Sequence, residues 1–168
     1  MKLVGNETIH APREAVWKGL NDPQILKACI PGCEEIIQSS PTELKAKVVV
    51  KLGPVKAPFR GAVTLSDLKP PESYRISGKG EGGLAGFASG GADVKLTAVS
   101  ADETLLEYNV DAQIGGKMAM LGARLIDSTA QSYATQFFTK FASLIKVDAA
   151  SPKGAVAKKS APKKKAKK

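Results

Sequence analysis

Few side chains in this sequence have the chemistry that catalysis or metal binding usually needs. His10 is the only histidine, so a catalytic triad or a histidine-rich metal site has a single imidazole to draw on. Cys29 and Cys33 enclose Ile-Pro-Gly, a spacing that fits neither a redox pair nor a zinc ligand pair, and no second pair exists to complete a site. We therefore expect two buried, reduced thiols, no metal site and no catalytic residue.

The carboxylates are the remaining candidates for acid–base chemistry, and their positions favour solvent. Glu103, Glu107 and Asp111 fall where the alternation of apolar and polar residues points outward. An enzyme would be favoured by a carboxylate or a histidine that projects inward among apolar neighbours and has a displaced pKa. The sequence shows no clear example of one.

Three glycines have the spacing of a dinucleotide-binding motif. Gly78, Gly80 and Gly83 match it, and Asp102 lies about 20 residues further on, as that motif requires. A phosphate-binding loop needs a helix to follow it, whereas Leu84 to Val99 continues as a strand punctuated by glycines. We interpret these glycines as sites of strand curvature and of close approach by another layer.

The elements that would position a site follow a simple order. A strand-compatible segment from Lys2 to Ala11 precedes two short helices, the first near Pro12 and the second capped by Asn21 or Asp22. From Cys33 to Ile114, alternating runs separated by turn residues predict a meander of about six strands. The predicted fold is therefore α+β, with an antiparallel sheet of about seven strands and a long final helix.

The final helix is predicted from Gly115 to Ile145, with one apolar face. Its first turns carry small residues such as Gly122 and Ala123, and its last turns carry rings such as Phe137 and Phe141. Small residues at the front of the helix fit either close packing against another backbone or one wall of a pocket. The helix alone does not distinguish these two interpretations.

The charge is concentrated at the end of the chain. Residues 151–168 contain eight lysines and no acidic residue, which leaves 17 basic and 16 acidic residues elsewhere. We predict a folded domain over residues 1–148 and a disordered tail over 149–168, because a Lys/Ala/Pro-rich segment cannot bury enough apolar surface to become ordered. The tail could attach to anionic membrane or, as a lower-ranked alternative, to nucleic acid. Its lysines are Lys153, Lys158, Lys159, Lys163, Lys164, Lys165, Lys167 and Lys168.

No stretch of the sequence resembles a membrane span or a secretion signal. No apolar run approaches the ~18 residues that a spanning helix needs, and residues 1–10 lack the apolar core of a signal peptide. We therefore expect a cytoplasmic protein.

Five segments, in order along the chain, carry a resemblance to a known family. They are Asn21-Asp22-Pro23, Cys29-Ile30-Pro31-Gly32-Cys33-Glu34, Gly53-Pro54-Val55-Lys56-Ala57, Gly86-Phe87-Ala88, and the run from Gly115 to Ile126. Together they resemble the CoxG family of carbon monoxide dehydrogenase subunits, which belongs to the START/polyketide-cyclase-like (SRPBCC) superfamily. The likeness runs from about Met1 to Val147 and leaves out the tail.

This resemblance implies a helix-grip fold, in which a curved antiparallel sheet wraps around the long C-terminal helix and an elongated apolar cavity lies between them. It also implies a non-catalytic accessory protein that attaches a molybdenum hydroxylase of the carbon monoxide dehydrogenase type to the inner face of the cytoplasmic membrane. The cavity would suit a quinone or a lipid, with no tightly bound cofactor. An enzyme of the cyclase or hydratase type, acting on a small hydrophobic substrate in the same cavity, stays open as an alternative.

The cavity expected from the final helix and the glycine-flanked aromatic residues has a defined lining. The residues expected to border it are Trp17, Leu20, Leu26, Ile30, Phe59, Phe87, Met118, Leu121, Gly122 and Leu125.

Overall fold

Seven antiparallel strands form one curved sheet in the computed structural model, which describes residues 1–150 and, among them, the side chains of residues 1–145. The strands are β1 (Lys2–Ile9), β2 (Cys33–Ser40), β3 (Glu43–Leu52), β4 (Val55–Lys69), β5 (Ser73–Glu81), β6 (Phe87–Ser100) and β7 (Glu103–Gly115). Their order across the sheet is β1-β7-β6-β5-β4-β3-β2, so β2 to β7 form the predicted meander and β1 pairs with β7. The predicted α+β helix-grip architecture is confirmed.

Two short helices, α1 (Arg13–Leu20) and α2 (Pro23–Cys29), connect β1 to β2. Pro12 precedes α1 as its N-cap, and Pro23 occupies the first turn of α2, where its missing N–H leaves no donor unpaired. The Asp22 carboxylate caps α2 by accepting a 2.9 Å hydrogen bond from the Gln24 N–H. The predicted cap and helix order are therefore confirmed.

The long helix begins later than the sequence predicted. Residues Gly116–Leu121 form a 3-10 turn, Gly122 follows it with φ of +97°, and α3 runs from Ala123 to Ala150. A residue at that φ cannot continue an α-helix, so the prediction of one helix from Gly115 was wrong. Residues 146–148 of the predicted domain and 149–150 of the predicted tail thus continue the α3 backbone, while 151–168 lie outside the described residues.

The sheet has an inner face, which α3 covers, and an outer face in solvent. Alternation along each strand assigns the faces: on β7, for example, Leu106 points inward and is 1% exposed, while its neighbour Glu107 is exposed. The inner face and the helices form two separate apolar clusters.

The first cluster joins α1, α2 and the second half of α3 to one end of the sheet, and Val16, Leu106 and Phe141 lie at its centre. The second cluster lies at the other end of the sheet, where Leu52, Phe59, Ala85 and Met118 are buried. Cys29 is buried in the first cluster as predicted, but Cys33 is only half-buried, since it lies where β2 begins.

The glycine-rich segment forms the β5–β6 hairpin, so it is not a phosphate-binding loop. A short 3-10 turn over Gly83–Ala85 joins the two strands. A Cβ atom built on Gly61 or Gly80 would find its nearest neighbours in the adjoining strands and in the Phe59 ring. These contacts support the interpretation of strand curvature at Gly80, whereas no close approach by another layer is seen there.

Candidate ligand-binding site

The centre of the inner face carries almost no side-chain volume. Seven residues no larger than alanine adjoin one another there across five strands, and we call them the small-residue floor. The floor consists of two neighbouring cross-strand rows: Ala46, Gly61, Gly80 and Ala88 from β3 to β6, and Gly78, Gly90 and Ala112 from β5 to β7.

The floor lies between the two apolar clusters and is not fully covered. Its residues are half-buried, and Gly90 is exposed, although they lie on the face that α3 covers. Larger apolar neighbours on the same face, among them Val48, Val110 and Ile114, are also only half-buried. The described side chains therefore leave the middle of the interface between sheet and helix accessible.

The path of α3 explains why this space stays open. The α3 backbone contacts β1 and β3, at the two sides of the sheet, more extensively than it contacts the central strands β4, β5 and β6. The part of α3 between the two clusters carries Ala130 and Ala134, which add little volume. Tyr133 fixes the helix at the side, because its hydroxyl accepts a 3.0 Å hydrogen bond from the Lys51 N–H.

Four of the residues expected to border the cavity belong to the first cluster. Leu20 and Ile30 are buried at 7% and 5% exposure, so they act as packed core residues. Trp17 and Leu26 are half-buried against the same cluster, and the Trp17 ring meets the Tyr74 ring edge-on with centroids 5.1 Å apart.

Four other expected residues meet in the second cluster. Phe59 and Met118 are buried, and Leu121 and Leu125 are half-buried against them. The structure therefore divides the expected lining between the two ends of the floor instead of gathering it around one point. The floor itself was not among the residues expected to line the cavity, because it becomes contiguous only through the cross-strand register.

The remaining two residues do not lie where the sequence predicted them. Phe87 is 50% exposed and points away from α3, with its ring over Gly115, because the turn before β6 fixes the strand's alternation and gives the inner face to Ala88. Gly122 is exposed and has no atom within 4 Å of a Cβ built on it, so it forms no wall of the interface.

One pair of polar residues on the inner face was not predicted from the sequence. Glu7 on β1 and Tyr108 on β7 both point inward at the side of the sheet, and the Tyr108 ring stacks on Phe138 of α3 with centroids 5.3 Å apart. Burial, and secondly the Glu7 carboxylate, raise the pKa of the Tyr108 hydroxyl. Strand alternation in β1 was the available signal for Glu7.

The other titratable groups give no catalytic arrangement among residues 1–145. The His10 imidazole and the Glu103 carboxylate form a 3.8 Å contact in which the His10 side chain is 64% exposed. No group of three histidine, cysteine or acidic side chains with metal-binding proximity occurs in this part of the chain.

A groove of about 570 Å³ lies on the outer face, away from the floor. Polar and charged residues from five elements line it, including Asn6, Arg75, Asp93, Glu107 and Asn109. Its lining does not suit an apolar ligand, because it includes the 2.9 Å ion pair between Arg75 and Asp93. The small-residue floor remains the better candidate site.

None of the helices in the described residues is long and apolar enough to cross a membrane.

Three bacterial proteins are among the solved structures with the same fold. A conserved protein from Geobacillus kaustophilus is 30% identical, with a TM-score of 0.83 over 88% of this chain and 97% of that one. The ZhuI aromatase/cyclase from Streptomyces sp. R1128 is 13% identical, with a TM-score of 0.67 over 92% and 99%. A START superfamily protein from Mycobacterium smegmatis is 11% identical, with a TM-score of 0.64 over 86% and 97%.

A comparison with curated proteins found no significant match. The sequence model of CoxG, a family of carbon monoxide dehydrogenase subunits, matches residues 5–146, which is nearly the whole described domain. This range includes all of the sheet except the first three residues of β1, both short helices and most of α3. The chain therefore belongs to the CoxG family of carbon monoxide dehydrogenase subunits.

Proposed function

We propose that this protein is a non-catalytic accessory protein that binds an elongated apolar ligand, a quinone or a lipid, between the small-residue floor and α3. The accessible, apolar middle of that interface is the observation that carries the proposal. A packed core would bury these positions, whereas an apolar ligand lying across the floor would cover Ala46, Ala88 and Val110.

We further propose that the protein recruits a molybdenum hydroxylase of the carbon monoxide dehydrogenase type to the inner face of the cytoplasmic membrane. Membership in a family described as a subunit of carbon monoxide dehydrogenase supports this partner. A bound quinone would then connect the dehydrogenase to the respiratory chain. The eight tail lysines, Lys153 to Lys168, are the proposed membrane attachment and lie outside the described residues.

The ligand proposal can be tested with two identical substitutions on neighbouring strands. Ala46→Leu adds volume above the floor, and Ala62→Leu adds the same volume on the outer face of β4. We expect the Ala46→Leu protein to copurify with about tenfold less quinone or lipid. Its free energy of unfolding should fall by less than the 1–3 kcal/mol, roughly, that overpacking of a filled core costs. Mass spectrometry of solvent extracts measures the ligand, and urea unfolding measures the stability.

The Ala62→Leu protein is the matched control and should keep its ligand. Equal ligand content in both variants, or extracts from the unsubstituted protein with nothing enriched, would contradict the proposed site. Binding of the dehydrogenase is tested separately, by co-purification of the full chain with a purified enzyme of this type.

An enzyme acting on a small hydrophobic substrate is the second candidate function. Glu7 and Tyr108 favour it, because they place a carboxylate and a hydroxyl with a raised pKa on the inner face. The ZhuI neighbour shows that an aromatase/cyclase has this fold. Turnover of an aromatic or polyketide-like substrate that is lost in both Glu7→Gln and Tyr108→Phe would place the enzyme first.

A further inference from the structure

The two most exposed large apolar side chains of the described residues lie at the same end of the molecule. Leu84 is 94% exposed in the 3-10 turn between β5 and β6, and Met120 is 85% exposed in the 3-10 turn before α3. Exposed apolar side chains are common singly, but two neighbouring turns that both present one are unusual. Phe87, half-exposed, follows the first of these turns at the start of β6.

Backbone contacts hold the two turns against each other. A Cβ built on Gly116 would lie 2.5 Å from the Gly86 Cα. The backbones of the two turns are therefore in contact at a point where both residues are glycine. Each turn buries one apolar side chain in the second cluster, Ala85 from the first and Met118 from the second. Leu84 and Met120 therefore extend into solvent from two turns that are packed against each other and against the second cluster.

Basic residues outnumber acidic ones at this end of the molecule. We define the tip as residues 51–56, 81–87 and 115–124, which form the β3–β4 turn, the β5–β6 turn and the segment that leads into α3. The β3–β4 turn packs against the start of α3. A Cβ built on Gly53 would lie 2.7 Å from the Leu125 side chain. The tip contains four basic residues, Lys51, Lys56, Lys117 and Arg124, and one acidic residue, Glu81.

We propose that the tip inserts shallowly into the anionic surface of a phospholipid bilayer, with Leu84 and Met120 in the acyl region and the basic residues at the headgroups. Exposed apolar side chains in segments with an excess of Lys and Arg have the chemistry that interfacial membrane segments use. The inference deepens the proposed function and rests on it. It gives the domain a defined orientation that the charge of the tail lysines alone would not provide, with the second cluster and the adjoining small-residue floor next to the lipid.

Tryptophan substitutions in the full chain test insertion directly. Leu84→Trp reports from the tip, and Val99→Trp reports from the opposite end of β6, where Val99 is 58% exposed. With vesicles of phosphatidylglycerol and phosphatidylcholine, we expect the Leu84→Trp emission to shift to the blue and to be quenched by brominated acyl chains. Trp17 contributes the same background to both proteins, and Val99→Trp should show no quenching beyond it.

Charge substitutions measure how much the tip contributes to binding. We expect the full chain with Leu84→Glu and Met120→Glu to bind these vesicles about tenfold more weakly at raised salt, where the tail is screened. Val4→Glu with Val99→Glu is the matched control, since both residues are exposed elsewhere on the molecule, and it should bind like the unsubstituted protein. All four positions are surface residues, so the fold should survive.

Three outcomes would overturn the proposal. They are an unshifted Leu84→Trp emission on vesicles that the protein binds, equal vesicle binding by both Glu pairs, and a tip variant that keeps its vesicle affinity but loses the dehydrogenase. The last outcome would make the tip a protein interface. Ligand content after loading from detergent separates this inference from the proposed function, because the tip variant should take up quinone normally whereas Ala46→Leu should not.

Discussion

At the residue scale, four glycines at the tip make it possible to measure the cost of backbone strain apart from the cost of steric clash. Gly83 and Gly122 have positive φ and open space around a built Cβ, whereas Gly86 and Gly116 have positive φ and backbone atoms in the way. We expect Gly83→Ala and Gly122→Ala to lower the free energy of unfolding by on the order of 1–3 kcal/mol through strain alone. Gly116→Ala should cost clearly more, and equal losses in urea unfolding would contradict this assignment.

Tyr108 gives a second prediction at the same scale. Its folded-state pKa lies above the ordinary tyrosine value of about 10, because burial and then the Glu7 charge disfavour the phenolate. The folded protein therefore holds this proton more tightly than the unfolded chain does. The resulting stability is present below pH ~10 and is lost as the pH rises through the folded-state pKa.

The pKa of Tyr108, measured from the tyrosine absorbance as a function of pH, should reflect this order of causes, with burial before the Glu7 charge. Glu7→Gln should lower the pKa of Tyr108 only in part, since burial is the larger cause. Glu107→Gln is the control, because Glu107 lies on the outer face of the same strand. A pKa that returns fully to the ordinary value in Glu7→Gln would show that the order of causes is wrong.

At the element scale, the attachment of α3 to the sheet depends on a hydrogen bond beyond the end of β2. The pairing of β2 with β3 stops at Cys33 and Val48, the Val49 N–H donates to Gly32, and the Lys51 N–H donates to the Tyr133 hydroxyl. We expect Tyr133→Phe to lower the free energy of unfolding by about 1 kcal/mol, as for a typical lost hydrogen bond. An unchanged stability would mean that water replaces the hydroxyl at no cost.

The elements were largely predictable from the sequence, whereas the site was not. Alternation and turn residues predicted the meander, and Asn21-Asp22 predicted the cap of α2, because these signals are local. The start of α3 was misplaced because residues 116–121 have a helical apolar pattern, and only the backbone angle at Gly122 interrupts it. The small-residue floor depends on the register of five strands, which no local pattern specifies.

The inward Glu7 and the outward Phe87 show the same limit at single positions. The alternation of β1 was readable, but its few apolar residues gave no reason to give Glu7 a role. The face of Phe87 depends on how the preceding 3-10 turn ends, at Gly86 with φ of +125°. Long-range geometry of this kind appears only when the strands are paired.

At the scale of the whole molecule, charge and apolar surface are separated along the chain. Residues 151–168 carry eight of the 25 basic residues and no acidic residue, while the rest of the chain has 17 basic and 16 acidic residues. The tail thus offers charge without apolar anchors, and the tip offers two apolar anchors with a smaller excess of charge. We expect the tail to provide most of the affinity for anionic membranes and the tip to provide depth and orientation.

Cosedimentation of the full chain and of a chain ending at Ala150 can separate these contributions. We expect the full chain to bind anionic vesicles strongly and to lose this binding steeply above ~0.15 M salt, where the Debye length is about 8 Å. The shorter chain should bind weakly and with less dependence on salt, because burial of apolar side chains is not screened. Neutral vesicles and duplex DNA are the controls. Equal vesicle binding by both chains would exclude the tail as the anchor, and tight DNA binding with weak vesicle binding would favour the nucleic-acid alternative.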